Sequence, residues 1–283
     1  MKVLVTGLNG FTGRYLGSEL ESHGYDVVGL EADLLDATAL AHEVFRVSPT
    51  AVVHLAGVAF ADHHDASDFY RVNLIGTRNL LAALAACSAR PDCVLLASSA
   101  NVYGVSGEAL TENTRPNPMN DYAVSKLAME YMARLWLEQL PVVIVRPFNY
   151  TGVGQDDRFL IPKIVAHFRK RESEIELGNL DVWRDFSDVR TVAEVYRRLL
   201  EIAPVGEIVN ISSGRSYSLR EIVDMAGSIT GHTLLLRVDP ALVRENEVRV
   251  LRGDNLRLKS LIGETVTFRP LEETLRWMLS GSS

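Results

Sequence analysis

Cysteine is almost missing from this 283-residue chain, with Cys87 and Cys93 the only two. They are too few and too close together for a disulfide framework or a zinc site, and both fall in apolar stretches where a small buried thiol fits. A reducing cytoplasm is the setting this implies. No apolar run approaches the roughly 18 residues of a membrane helix. Nor does a charged leader precede an apolar segment, since strand-like Lys2-Val-Leu-Val-Thr6 begins at once. Export and membrane insertion are therefore not expected. Basic charge is also scarce: the net charge of −7 argues against a general nucleic-acid binder, which needs clustered Lys and Arg. Internal repeats, low-complexity tracts and linkers are absent. What remains, 47% hydrophobic and 23% charged residues, can fill the core of one large α/β domain with a smaller appendage.

Apolar, β-branched runs at 3–6, 26–30, 51–55, 93–97 and 142–146 read as strands buried on both faces. Helical patterns at 13–23, 37–46, 73–89 and 122–139 lie between them, which makes the fold α/β with a doubly wound parallel sheet of the Rossmann kind. One unit is short. Only about twenty residues separate Glu31 from Ala51, too few for a helix, a third strand and its following helix at 10–12 residues per crossover. The third strand is expected to be absent or vestigial. Residues 1–150 read as the dinucleotide-binding domain. Residues 151–283 read as mainly a smaller substrate-binding lobe, interleaved with the last strands of the sheet.

Directly after the first strand come Gly7, Gly10 and Gly13, a GxxGxxG spacing that opens a helix. Such glycines supply a tight turn, close backbone approach to a pyrophosphate and helix-to-strand contact. Gly7, Asn9, Gly10, Phe11, Thr12 and Gly13 are the candidate pyrophosphate-binding residues. Glu31, at the end of the second strand, can take both hydroxyls of an adenosine ribose and would repel a 2′-phosphate. No Lys or Arg follows until Arg46. NAD(H) is therefore expected over NADP(H), which stays possible. Asp33 and Leu34 should face the adenine, and Leu55, Ala56 and Gly57 should pass under the cofactor.

Tyr122 and Lys126 lie four apart on a helix and so share a face. An ammonium beside a phenol favours the phenolate, and a Tyr so placed becomes a usable acid/base group. These residues, with Leu96-Ala-Ser-Ser-Ala-Asn-Val-Tyr-Gly104, resemble the extended short-chain dehydrogenase/reductase superfamily over nearly the whole chain. The resemblance implies a triad of Ser99, Tyr122 and Lys126. It also implies a buried Asn73 that bonds backbone near the active site, and a cofactor contact from Phe148.

Sugar-nucleotide 4,6-dehydratases carry a Glu two residues before the Tyr of the VYG element, often after an Asp. Here those positions hold Asn101 and Ala100. Neither can act as a carboxyl acid/base, which leaves a reductase or an epimerase. Arg146-Pro-Phe-Asn-Tyr150, Gly178-Asn-Leu-Asp-Val-Trp-Arg-Asp185 and Asn210-Ile-Ser-Ser-Gly214 are similar to GDP-4-keto-6-deoxy-D-mannose reductases and their dehydratase relatives. By that resemblance the substrate is a GDP-linked 4-keto-6-deoxyhexose, met by Ser99, Asn101, Asn149, Asn179 and Arg184, with Arg244 on the diphosphate and Glu247 on a ribose hydroxyl. Asn120-Asp121 stand where Ser-Pro or Asn-Pro is usual.

A 4-epimerase with tightly held NAD is the alternative, and a catalytically silent dinucleotide-binding protein the third reading. Asp62-His-His-Asp65 carries metal-binding residue types, but adjacent residues rarely converge on one ion, so no metal is expected. The helices at 73–89 and 122–139 carry Leu81, Leu84, Met129, Met132 and Trp136 on more than one face. Related enzymes pair these two helices across a homodimer interface, so a homodimer is expected.

Overall fold

The computed structural model describes residues 1–58, 65–104, 109–243, 249–263 and 266–281. The first half runs β1 (Lys2–Thr6), α1 (Phe11–Ser22), β2 (Asp26–Gly29), α2 (Ala37–Val47), β3 (Ala51–His54), α3 (Ser67–Tyr70), a π-helical turn (Arg71–Gly76), α4 (Thr77–Ala86), β4 (Cys93–Ala97), a 3₁₀ turn (Ala100–Tyr103), α5 (Asp121–Arg134) and β5 (Val142–Pro147). The second continues with β6 (Asn149–Thr151), α6 (Leu160–Lys170), β7 (Glu174–Leu177), β8 (Trp183–Asp188), α7 (Val189–Ile202), β9 (Ile208–Ile211), β10 (Ser216–Ser218), α8 (Leu219–Thr230), β11 (Leu235–Val238), β12 (Val250–Leu251), α9 (Leu256–Ile262) and α10 (Leu271–Ser280).

The main sheet is parallel throughout, in the order β2-β1-β3-β4-β5-β9. Alternate residues of each strand serve two cores, which is why the runs read as continuously apolar. Val3, Val5, Val53 and Leu95 join α1 and α7 on one face. Leu4, Val52, Val94 and Leu96 join α2, α4 and α5 on the other. Among the described residues β2 is an edge strand, and α2 returns the chain straight to β3, on the far side of β1. The expected loss of the third strand is what the structure shows. β9 comes from the second half of the chain, so the sheet is completed only after residue 207.

Three departures from the sequence reading matter for the site. The segment read as one helix from residue 73 begins earlier and is interrupted by the π turn that carries Asn73. Leu81, Leu84 and Met129 are fully buried in this chain's own core, and Met132 and Trp136 pack against it. Apolar exposure on α5 and its flanks instead comes from Val124, Tyr131 and Leu135. Finally, the helix read to residue 139 ends at Arg134 and tightens into turns.

The second half packs α6, α8 and α10 around Phe168, Phe186, Leu219 and Leu275. Two sequence motifs lock together here. Fully buried Asp185 accepts hydrogen bonds from the Ser212 hydroxyl (2.7 Å), the Ser213 hydroxyl (2.7 Å), and the backbone N–H groups of Ser213 and Gly214 (both 3.0 Å). Burial raises the Asp185 pKa and these donors oppose the rise.

Candidate active site

The chain leaves β1 at Thr6 and turns on Gly7, whose φ of +73° is a left-handed conformation suited to glycine. The Gly10 N–H closes the turn onto the Gly7 carbonyl at 3.0 Å, and Gly10 caps α1. A Cβ on Gly13 would lie 2.2 Å from that carbonyl oxygen. No larger residue fits there, so glycine lets the turn pack directly against the first turn of α1, whose free N-terminal N–H groups suit an anion such as a pyrophosphate. Asn9, Phe11 and Thr12 sit on this turn. Phe11 stacks on Tyr150 with ring centroids 6.2 Å apart, and the Thr12 and Tyr150 hydroxyls are 2.8 Å apart. Tyr150, which the sequence did not single out, thus ties the phosphate loop to the segment after β5.

Below the cradle runs a buried polar chain. Thr77 donates its hydroxyl hydrogen to the Asn73 carbonyl (2.7 Å), so it can only accept from His54 Nε2–H at 2.9 Å. His54 Nδ1 must then accept from the Thr6 hydroxyl (2.7 Å), whose oxygen receives the Ala56 N–H at 3.0 Å. The hydrogen bonds therefore assign one neutral tautomer. Burial, helped by the Lys126 charge, lowers the His54 pKa to about 3. Asn73 continues the chain: its amide donates to the Val58 carbonyl (3.1 Å) and the Ser125 hydroxyl (3.0 Å), and its Oδ1 accepts from Val58 N–H (2.9 Å). Leu55, Ala56 and Gly57 are held over this floor. A Cβ on Gly57 would come within 2.8 Å of Asn73 Oδ1 and 3.2 Å of Lys126 Nζ.

Asn120 caps α5 by accepting the Ala123 N–H at 2.8 Å, and Asp121 in the first turn accepts from the Tyr70 hydroxyl at 2.7 Å. The unusual Asn-Asp pair is therefore a working helix start. Tyr122, Lys126 and Glu130 follow at four-residue spacing along one face. Lys126 is 6% exposed and gives one of its three N–H donors to the Ala97 carbonyl (2.9 Å), leaving donors suited to the hydroxyls of a ribose. Burial lowers its pKa to about 8, against the pull of Glu130. Tyr122 is pushed up to about 12 by burial, while a hydrogen bond with Ser99 pulls the other way. Burial is the dominant influence, so the resting phenol is a protonated acid rather than the phenolate that Lys126 alone suggested.

Ser99 stands at the end of β4, where its hydroxyl accepts the Asn101 N–H at 3.1 Å. Ser98, its neighbour, points the other way and donates to Glu130 at 2.5 Å. Glu130 also holds Arg146 in a two-pronged ion pair of 2.6 and 2.9 Å, with both side chains buried. The structure brings Ser99, Tyr122 and Lys126 together on β4 and α5. No carboxylate occupies Ala100 or Asn101, and Asn101 faces solvent.

Other sites differ in placement. Glu31 and Asp33 are exposed after β2, and Leu34 is buried below them, its carbonyl held by Asn79 at 2.9 Å. Phe148 is 3% exposed and packs on Tyr103, 6.3 Å between centroids, so its ring forms floor rather than an open contact surface. Asn149 donates to the Asp185 carbonyl at 3.3 Å, Asn179 accepts its own turn's Asp181 N–H, and Arg184 donates to the Trp183 carbonyl. Arg244, Glu247 and residues 62–64 of the acidic-histidine run lie outside the described residues. Among the described residues, no group of three or more His, Cys, Asp or Glu is arranged to hold a metal, and no helix is long and apolar enough to cross a membrane.

A glycine cradle, a buried Lys with donors to spare and a Ser-Tyr pair at one sheet end match a known set of proteins: residues 3–212 correspond to the NAD dependent epimerase/dehydratase family. The chain belongs to this family. GDP-6-deoxy-D-talose 4-dehydrogenase of Aggregatibacter actinomycetemcomitans is 33% identical across 98% of this chain and 97% of its own. GDP-6-deoxy-D-mannose reductase of Pseudomonas aeruginosa is 34% identical across 99% and 96%. Among solved structures, a Burkholderia cenocepacia J2315 protein provisionally described as an epimerase superposes with a TM-score of 0.94 at 50% identity, covering 99% of this chain and 97% of that one. RMD from Pseudomonas aeruginosa, complexed with NADPH, gives 0.90 at 33% identity, with the same coverage of each chain. The protein is thus an NAD(P)-dependent oxidoreductase or epimerase of the nucleotide-sugar type.

Proposed function

We propose that this enzyme uses NADH to reduce the C4 keto group of a nucleotide-linked 4-keto-6-deoxyhexose, with GDP-4-keto-6-deoxymannose as substrate. The observation that carries the reading is the grouping of Ser99, Tyr122 and Lys126 in a site with no carboxylate at Ala100 or Asn101. Reduction needs a proton donor at the carbonyl oxygen and nothing to eliminate water. The two relatives above are named for GDP-6-deoxyhexoses, one as a 4-dehydrogenase and the other as a reductase, which supports the substrate class. Glu31, exposed at the end of β2, supports NADH over NADPH.

When bound, the dinucleotide supplies the hydride that the C4 carbon accepts. As the C=O π bond breaks, Tyr122 gives its proton to the oxygen, and Ser99 steadies the developing negative charge. Lys126 binds the nicotinamide ribose through its remaining donors and favours the phenolate left behind. Asn149, Asn179, Arg184, Arg244 and Glu247 are the residues we assign to the nucleotide sugar. Two copies would pair through α4 and α5, where Val124, Tyr131 and Leu135 leave an apolar face, in the cytoplasm that supplies NADH.

The deciding experiment follows NADH oxidation at 340 nm with enzymatically generated GDP-4-keto-6-deoxymannose and reads the product's C4 configuration by NMR. Stoichiometric oxidation establishes the reductase. No oxidation, with NAD released from the purified protein on denaturation, would replace it with a 4-epimerase.

A further inference from the structure

The open groove bordered by Glu31 is built mainly from α2, which begins six residues further along the chain. Its volume is about 630 Å³, and Asp36, Thr38, His42, Glu43 and Arg46 help to line it. Glu43 is 7% exposed, and its carboxylate serves the loop after β2. It accepts the Ala32 N–H at 2.7 Å and shares the Glu31 N–H between its two oxygens at 3.2 and 3.3 Å. The same carboxylate lies 3.5 Å from the guanidinium of Arg46, the only Arg or Lys in the lining.

Backbone N–H groups and arginine forks are the donors that hold a phosphate. Here two such N–H groups and the one arginine all face a single carboxylate. We propose that Glu43 is a second determinant of cofactor choice. By engaging the donors that a 2′-phosphate would need, it makes the cavity reject NADP(H), while Glu31 takes the ribose hydroxyls. The asymmetry is electrostatic: Glu31, Asp36 and Glu43 crowd the cavity with carboxylates, against which a phosphate dianion is repelled. The inference rests on the NADH reading above and deepens it.

The test needs no substrate. Dissociation constants for NADH and NADPH are measured by nicotinamide fluorescence on wild type, Glu43→Gln and Arg46→Ala. Wild type should prefer NADH. Glu43→Gln keeps the shape, releases Arg46 and removes the charge, so its NADPH affinity should rise by about tenfold or more, the worth of one charge-assisted hydrogen bond, with NADH nearly unchanged. An unchanged NADH/NADPH ratio in Glu43→Gln would overturn the inference while leaving the wild-type preference standing. Equal binding of the two cofactors by wild type would overturn both. Should Glu43→Gln fail to fold, exposed Arg46 decides: its replacement by Ala should leave the ratio within about twofold, because Glu43 already neutralises it. A selective tenfold loss of NADPH on that change would instead make Arg46 the phosphate ligand and refute the role of Glu43.

Discussion

Lys126→Met should make the cofactor-free protein more stable as it destroys turnover. The Lys126 ammonium is buried with one carbonyl acceptor, and its pKa falls from 10.5 to about 8. At about 1.36 kcal/mol per pH unit, that displacement means the charged Lys opposes folding by about 3 kcal/mol at pH 7. Met fills a similar volume without the charge, but it leaves the Ala97 carbonyl without its donor, a loss of about 1–2 kcal/mol. The net gain is about 1–2 kcal/mol, or about 2–8 °C in Tm for a chain of this size. The sign also fixes a pH signature. Between pH 8 and 10 the unfolded chain holds a proton on Lys126 that the folded chain has released. Wild-type stability should therefore climb toward higher pH, by up to about 1.4 kcal/mol per unit. The Met variant lacks this contribution, so its advantage should close by about pH 10. Urea denaturation followed by circular dichroism at pH 7, 8, 9 and 10 measures both effects. A Met variant less stable than wild type at pH 7, with a difference that pH does not move, would refute the reasoning.

His54 acts with the same sign in a lower pH window. Its folded pKa of about 3 lies below the unfolded 6.5, so the stability it contributes is present above pH 6.5 and is lost as pH falls, by up to about 5 kcal/mol at pH 3. His54→Gln should cost about 1–3 kcal/mol at pH 7 and then fall less steeply than wild type on acidification, as urea melts at pH 7 and 4.5 would show. Parallel acid profiles would mean that His54 is not held neutral. Tyr122→Phe should lower kcat by about 10²–10⁴ with NADH binding intact, and Ser99→Ala by about 10²–10³; steady-state assays with fluorescence titration of NADH check both. Glu130→Ala leaves buried Arg146 charged and without its carboxylate and should destabilise the protein by about 3–5 kcal/mol in thermal melts. A change below about 1 kcal/mol would show that the pair has little structural weight.

The fold was largely legible because its strands are buried on both faces. Val3, Leu4 and Val5 alternate between two cores, so the run has no polar positions, and such runs separated by helical patterns permit little besides a parallel sheet. The short stretch between Glu31 and Ala51 was equally informative, since chain length alone forbids another strand. Periodicity failed where it reports a face without naming what covers it. Leu81, Leu84 and Met129 read as candidates for a helix pairing between subunits, yet the chain's own sheet takes them; the exposed apolar side chains fall on neighbouring positions such as Tyr131. The π turn at Asn73 was hidden for a different reason, because one extra residue per turn leaves no mark in composition.

Site residues were legible when the backbone or a four-residue spacing dictated them, as at Gly7, Gly13, Tyr122 and Lys126. They were hidden when the requirement was a hydrogen bond across the fold. Asn73 was legible only through the family resemblance, and His54, in the same network of buried donors and acceptors, was not, because nothing in its sequence neighbourhood links Thr6 to Thr77. Arg46 shows the sharper consequence. By sequence distance it is remote from Glu31, yet α2 carries it into the same groove and sets Glu43 between the two. A cation near a ribose site would ordinarily argue for NADPH. Here that cation meets a buried carboxylate first, so on the proposal above the choice between cofactors turns on a three-residue balance of charge and hydrogen bonding that no single position reveals.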